Sequence, residues 1–174
     1  MQHSHYLKKS FANKKAFITG HTGFKGSWLA FLLNEIGADV MGFALPPTTA
    51  VNHFDLIGLD KKIKHVVGDI RDASLLATKL IEFQPEFVFH LAAQALVRPS
   101  YDDPVATLST NIMGSVNLLD AVRQCESIRS LVYVTSDKCY ENVEWIWGYR
   151  ENDQLGGSDP YSASKAAAEI VFSS

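Results

Sequence analysis

The sequence has 174 residues, a formal net charge of −3, a pI near 6.0 and 47% hydrophobic residues, which fits one globular domain able to bury its own core. Disorder is excluded by that balance, and the short basic pairs Lys8-Lys9, Lys14-Lys15 and Lys61-Lys62 make no face for nucleic acid. MQHSHYLKKSFANKK lacks the apolar core of a signal peptide, no segment reaches membrane-span length, and Cys125 and Cys139 have no metal-like spacing, so a soluble, cytoplasmic protein without a metal is expected.

Apolar runs of strand length alternate with helical periods along the chain, the pattern of a parallel sheet. KKAFITG predicts a first strand, and GSWLAFLLNEIG a helix with Leu29, Leu32, Leu33 and Ile36 on one face and Gly37 as its stop. ADVMGFA reads as a strand ended by Pro46-Pro47, IKHVVG as a third strand, and DASLLATKLIEF as a helix capped by Asp72. FVFHLAA is a fourth strand; a loop then leads to a long helix from Pro104 to about Cys125, with Asp103 as cap and proline at its first position. SLVYVTS is a fifth strand, 137 to 160 is loop, and YSASKAAAEIVF opens a last helix. The expected fold class is α/β, a Rossmann-like doubly wound parallel sheet, with residues 1–174 forming one domain of the kind that binds a dinucleotide at its first turn.

The first strand-to-helix turn, TGHTGFKG, spaces Gly20, Gly23 and Gly26 as GxxGxxG. Bare glycines let a backbone approach a pyrophosphate and aim a helix N-terminus at it; a tight turn without a ligand is the plain alternative. The second strand ends in MGFALPP, with neither an acid for a ribose 2′-hydroxyl nor an arginine for a 2′-phosphate, so NAD and NADP both remain open. Asp69 follows the third strand at the carboxyl edge, where it or the Ile70 backbone can meet an adenine, or simply make a turn. Ala92 and Ala93 leave room for a cofactor against the fourth strand, in which His90 reads as a satisfied core histidine.

Tyr161 and Lys165 stand four apart at a helix start, a spacing that shares one face and lets an ammonium favour a phenolate. A solvated Tyr/Lys pair is the alternative, weakened here by Thr135, a hydroxyl at the end of the preceding strand.

ITGHTGFKGSW, GDIRD, HLAAQALVRPSY, TSDKCYENVEWIWGYREND and LGGSDPYSASKAAAE resemble the extended short-chain dehydrogenase/reductases, most closely the CDP-glucose 4,6-dehydratases, from about Lys15 to the end. Ala95 departs from the proline of that pattern. The resemblance implies a lyase of deoxysugar biosynthesis that turns CDP-glucose into its 4-keto-6-deoxy form with NAD as a retained catalyst. It implies cofactor contacts from Gly20, Thr22, Gly23, Phe24, Gly26, Asp69, Ile70, Leu91, Ala92, Ala93, Tyr161 and Lys165. It also implies Tyr161 and Lys165 for the C4 proton, Thr135 or Ser136 at O4, Asp137 as acid at the C6 hydroxyl and Lys138 as base at C5. Gln94, Arg98 and Asn111 are candidate sugar-nucleotide contacts, Glu141 and Tyr149 further shell candidates, and Trp145 and Trp147 are read as loop packing.

Members of the family are roughly twice as long, with a C-terminal substrate lobe after the YxxxK helix, so this chain is expected to hold the cofactor half, to turn over little, and to make a weakened helix-bundle homodimer. A nucleotide-sugar epimerase, which needs only the strand-end hydroxyl, Tyr161 and Lys165, and a non-catalytic dinucleotide-binding module are the competing expectations.

Overall fold

The computed structural model describes residues 2–174, with side chains described from Tyr6 onward. A helix that the sequence pattern did not announce, α1 (Gln2–Phe11), comes first, and its last residue packs edge-on against Phe87 at 4.8 Å. Next come β1 (Lys15–Thr19), α2 (Phe24–Glu35), β2 (Asp39–Ala44), the short helix α3 (His53–Leu56), a 3-10 turn (Leu59–Lys61), β3 (Lys64–Val67) and α4 (Ala73–Phe83). The second half contains β4 (Phe87–His90), α5 (Val97–Asp102), α6 (Pro104–Leu108), a π turn (Ser109–Met113), α7 (Gly114–Arg123), β5 (Ser130–Tyr133), a 3-10 turn (Asp137–Cys139) and α8 (Pro160–Ser173).

All strand pairs are parallel, in the order β3-β2-β1-β4-β5. The order reverses between β1 and β4, and the crevice beyond their carboxyl ends is where open α/β sheets bind ligands. Ala16, Phe17, Ile18 and Thr19 of β1 are wholly buried because helices cover both faces. Their side chains alternate: Ala16 and Ile18 join Ala30, Leu33, Val40 and Phe54 in one core, whereas Phe17 joins Phe43, Leu76, Leu80, Val88 and Leu118 in the other.

The expected caps form, Asp72 accepting from Leu75 N and Asp103 from Ala106 N, and Asp159 adds a third by accepting from Ser162 N. Three expectations are corrected. On α2 the face toward the sheet is Gly26, Ser27, Ala30 and Leu33; Leu29 and Ile36 are half-buried and Leu32 is exposed, because small residues let the helix sit close to the turn. The long helix from Pro104 is broken in phase by the π turn, and the loop before it contains α5. Of the two loop tryptophans, Trp145 lies against the Tyr149 ring of the same loop at 5.9 Å between centres, whereas Trp147 does not pack the loop and is 66% exposed. That loop is held at its base by a Tyr140–Leu155 bridge, with Gly156 N donating to Cys139 O at 2.9 Å. Cys125 and Cys139 are both free and buried.

Candidate active site at the carboxyl edge of the sheet

The glycine turn is fixed by close packing. Gly20 has φ +77°, and a Cβ there would lie 2.6 Å from Ala92 N; a Cβ on Gly26 would lie 2.1 Å from the Gly20 carbonyl oxygen. These two glycines are demanded by the chain itself. Gly23 is different: its φ of −74° suits any residue, and a Cβ would meet only the Gly20 carbonyl, at 3.4 Å. Its bareness keeps the N-terminus of α2 open to a group from outside, as a pyrophosphate requires. Thr22 ties the turn to the end of β2 by donating to Leu45 O at 2.8 Å, and Phe24 is 73% exposed beside it.

Beneath the turn lies His21, which no sequence motif singles out. Its ring takes the space a Cβ on Gly42 would need, and its Nε2 is 2.7 Å from Nδ1 of His65 on β3. Burial, with His65 beside it, pushes its pKa down to about 3.

Asp69 stands at the same edge, but Arg71 already grips its carboxylate from Nε and Nη2 and holds it below the usual carboxylate range. Ile70 is buried, and its carbonyl accepts from Asn117. Leu91, Ala92 and Ala93 are half-buried, with Leu91 N and Ala92 N both donating to Thr19 Oγ1 at 3.2 Å.

Of the residues matched to substrate, Gln94 and Asn111 are engaged inside the chain. Gln94 Nε2 donates to Leu96 O and Thr107 Oγ1, and Asn111 exchanges two hydrogen bonds with the Gln94 backbone and a third with Ser164 Oγ. Arg98, exposed on α5, makes no hydrogen bond or ion pair with another described residue.

The second wall is β5 and α8. Lys165 is 6% exposed; its Nζ donates to Val134 O at 3.3 Å and lies 5.9 Å from the Tyr133 ring centre. Burial pushes its pKa below the usual lysine range, with Glu169 opposing. Tyr161, one turn earlier, is half-buried; its N–H donates to Ser100 Oγ, and its hydroxyl has no hydrogen-bond partner among the described residues. The Thr135 side chain likewise has none. Ser136 caps the 3-10 turn by accepting from Lys138 N and donates to Asp137 Oδ1, leaving the Asp137 and Lys138 side chains exposed where β5 ends. Glu141 is exposed nearby, whereas Tyr149 closes the loop by donating to Asn142 Oδ1 and stacking on Tyr140.

The edge thus carries a glycine turn with bare backbone at Gly23 and, where β5 ends and α8 begins, a hydroxyl, an acid, an amine and a Tyr/Lys pair. Among the described residues no group of three or more His, Cys, Asp or Glu could hold a metal, and no helix is long and apolar enough to cross a membrane.

The chain is similar to known proteins over most of its length. The chain is 52% identical over 166 residues to the CDP-glucose 4,6-dehydratase of Salmonella typhimurium, covering 95% of this chain and 46% of that one. The epimerase Mth375 of Methanothermobacter thermautotrophicus superposes with a TM-score of 0.84 at 25% identity, covering 97% of this chain and 49% of that one. The UDP-glucose 4-epimerase of Thermus thermophilus, solved in complex with NAD, superposes at 0.79 with 31% identity, over 91% of this chain and 50% of that one. The chain spans about half the length of the relatives it matches. The family described as GDP-mannose 4,6 dehydratase matches residues 17–174, and to that family, with its Rossmann-like sheet, the chain belongs.

Proposed function

We propose that this chain is the cofactor-binding part of an NAD-dependent CDP-glucose 4,6-dehydratase, a hydro-lyase of nucleotide-sugar metabolism. The observation that carries it is the pairing of a ligand-open glycine turn with the unengaged hydroxyls of Thr135 and Tyr161 and the exposed Asp137 and Lys138 on the opposite wall, together with 52% identity to a CDP-glucose 4,6-dehydratase. NAD is the proposed cofactor because the Thermus thermophilus UDP-glucose 4-epimerase, which superposes at 0.79, was solved in complex with it.

Gly20, Thr22, Gly23, Phe24 and Gly26 hold the pyrophosphate side of the dinucleotide, Asp69 and Ile70 border the adenine, and Leu91, Ala92 and Ala93 border the nicotinamide half. When bound, NAD would supply reversible hydride storage between C4 and C6 of the sugar. Thr135 or Ser136 holds O4, and Tyr161 accepts the C4 hydroxyl proton beside the buried Lys165 ammonium. The 4-ketone acidifies C5, whose proton Lys138 removes while Asp137 donates to the departing C6 hydroxyl. Arg98, exposed on α5, reaches for the sugar nucleotide, with Gln94 and Asn111 holding the loop that carries it. Two chains pair through their helices as a homodimer in the cytoplasm, a reducing compartment that suits two free cysteines.

The solved neighbours that are epimerases favour a second reading, a nucleotide-sugar 4-epimerase. Native mass spectrometry for retained NAD, followed by incubation with CDP-glucose and assay for an alkali-absorbing 4-keto sugar, separates them. The full-length protein is expected to make the ketone and the 174-residue chain to retain NAD with little turnover. An epimerised product without ketone from the full-length protein would overturn the dehydratase reading.

A further inference from the structure

Behind both walls runs a line of buried polar groups, of which the chemistry above uses only Asn111. Thr19 Oγ1 lies 2.6 Å from His90 Nδ1, and His90 Nε2 lies 3.2 Å from Ser115 Oγ. Ser115 Oγ is 2.6 Å from both Asn111 O and Tyr133 Oη. Asn111 Nδ2 donates to Ser164 Oγ at 2.8 Å, and Ser164 Oγ donates to the carbonyl of Tyr161 at 2.6 Å. Thr19, His90, Ser115, Asn111 and Ser164 are each at most 3% exposed.

Counting protons fixes the direction of every bond. A carbonyl can only accept, so the single hydroxyl proton of Ser115 goes to Asn111 O. Ser115 Oγ must therefore accept from both His90 Nε2–H and the Tyr133 hydroxyl. With Nε2 protonated, a neutral His90 accepts at Nδ1 from Thr19, whose oxygen accepts in turn from Leu91 N and Ala92 N. Every member is satisfied only if the imidazole is neutral and in this one tautomer. Burial, with the Lys165 ammonium beside it, pushes the His90 pKa down to about 3, in keeping with that count.

We infer that His90 is a positioning residue: a neutral imidazole that sets the register between the glycine turn at Thr19 and the helix of Tyr161 through one buried chain of hydrogen bonds. The chain crosses from the wall that faces the dinucleotide to the wall that faces the sugar, so it fixes their relative placement. Fully connected buried networks specify a single geometry in this way. The inference rests on the proposed reading only in what the two walls bind.

The test has two parts. In the 174-residue chain labelled with ¹⁵N-histidine, His90 is expected to show an unprotonated Nδ1 and a protonated Nε2 unchanged from about pH 8 to pH 5; the opposite tautomer, or titration near the usual histidine value, overturns the inference. The second part is a double-mutant cycle between Thr19→Val and Ser164→Ala, at opposite ends of the chain, read in NAD affinity. Each single variant is expected to lose roughly tenfold, the size of one buried hydrogen-bond partner, and the double variant little more than either. Losses that multiply to roughly a hundredfold would show two unconnected sites. His90→Gln, whose amide can still donate to Ser115, is expected to recover part of what His90→Leu loses; equal losses overturn the hub. If the unmutated chain retains no NAD, the functional reading fails, and the same cycle read in the urea midpoint still decides the network.

Discussion

The glycine turn with its underlying strands and the wall where β5 ends and α8 begins lie at the same carboxyl edge, and they differ in which polar groups they leave unpartnered. Around the turn, Thr19, His90, Asn111, Gln94 and Asp69 all have partners within the chain, and most are buried. At the opposite wall the side chains of Thr135 and Lys138 and the Tyr161 hydroxyl have no hydrogen-bond partner among the described residues. The difference separates holding from reacting. A group that must keep a cofactor in place is fixed by its own hydrogen bonds, whereas of the groups proposed to exchange protons Tyr161 and Lys138 are left free and Asp137 is held only by its neighbour Ser136.

Substitutions test that division. The largest expected effect is at Gly26, where alanine would put a Cβ 2.1 Å from a backbone oxygen that cannot retreat. Gly26→Ala should cost about 3 kcal/mol in urea unfolding and abolish NAD retention. A variant that melts like the unmutated chain would mean that the turn is softer than its packing indicates.

Next is acid. His21 and His90 are held neutral, each pushed down from the usual 6.5 to about 3. An unfolded chain takes up these protons near 6.5 and the folded one does not, so their contribution is intact above 6.5 and drains as the pH falls toward 3. Each imidazole should cost up to about 1.4 kcal/mol per pH unit within that window. Urea midpoints at about pH 7 and pH 5 measure it, and a midpoint that does not move would place a charge inside the core.

A smaller effect is expected where the turn side meets the helices. Asp103 caps α6 by accepting from Ala106 N, and Asp103→Ala should cost about 1 kcal/mol by thermal unfolding. The smallest belongs to the reacting wall: Thr135→Val and Lys138→Met should change stability by less than about 0.5 kcal/mol, because neither side chain is held by a hydrogen bond. Both should nonetheless remove ketone formation from the full-length enzyme, assayed with CDP-glucose. If either destabilises the fold as much as the cap does, the division between holding and reacting is wrong at that position.

Much of the fold was legible. The strand-length apolar runs found all five strands, and the acid-before-helix signals found the caps at Asp72 and Asp103, since both depend on residues close in sequence. The packing face of α2 was misread because the pattern of leucines implies burial, while the real constraint is distance: Gly26 meets the turn where no Cβ fits, and Ser27 and Ala30 are buried on the same face. In the site, the spacing of Tyr161 and Lys165 and the three glycines were visible as motifs. The network through His90 was not, because the bonds that tie its segments together, Thr19–His90, His90–Ser115 and Asn111–Ser164, join residues 25 to 71 positions apart and no local pattern marks them. Gln94 and Asn111 illustrate the same limit, since polar residues near a site look alike in sequence whether they face a ligand or tie down a loop.

The π turn at Ser109–Met113 is a change of phase within one helical run. A π turn is one residue wider than an α turn, so the helix beyond it is rotated by about 100° relative to an unbroken one. That rotation lets a single run satisfy two neighbours that a straight helix would serve with one face: α6 lies against α8, and α7 against α4. The single surplus residue is therefore a unit of heredity as well as of geometry. A one-codon deletion between Ser109 and Met113 would mend the helix, yet swing Asn111 away from Ser164 and Gln94 and disconnect the two walls without touching a residue of either.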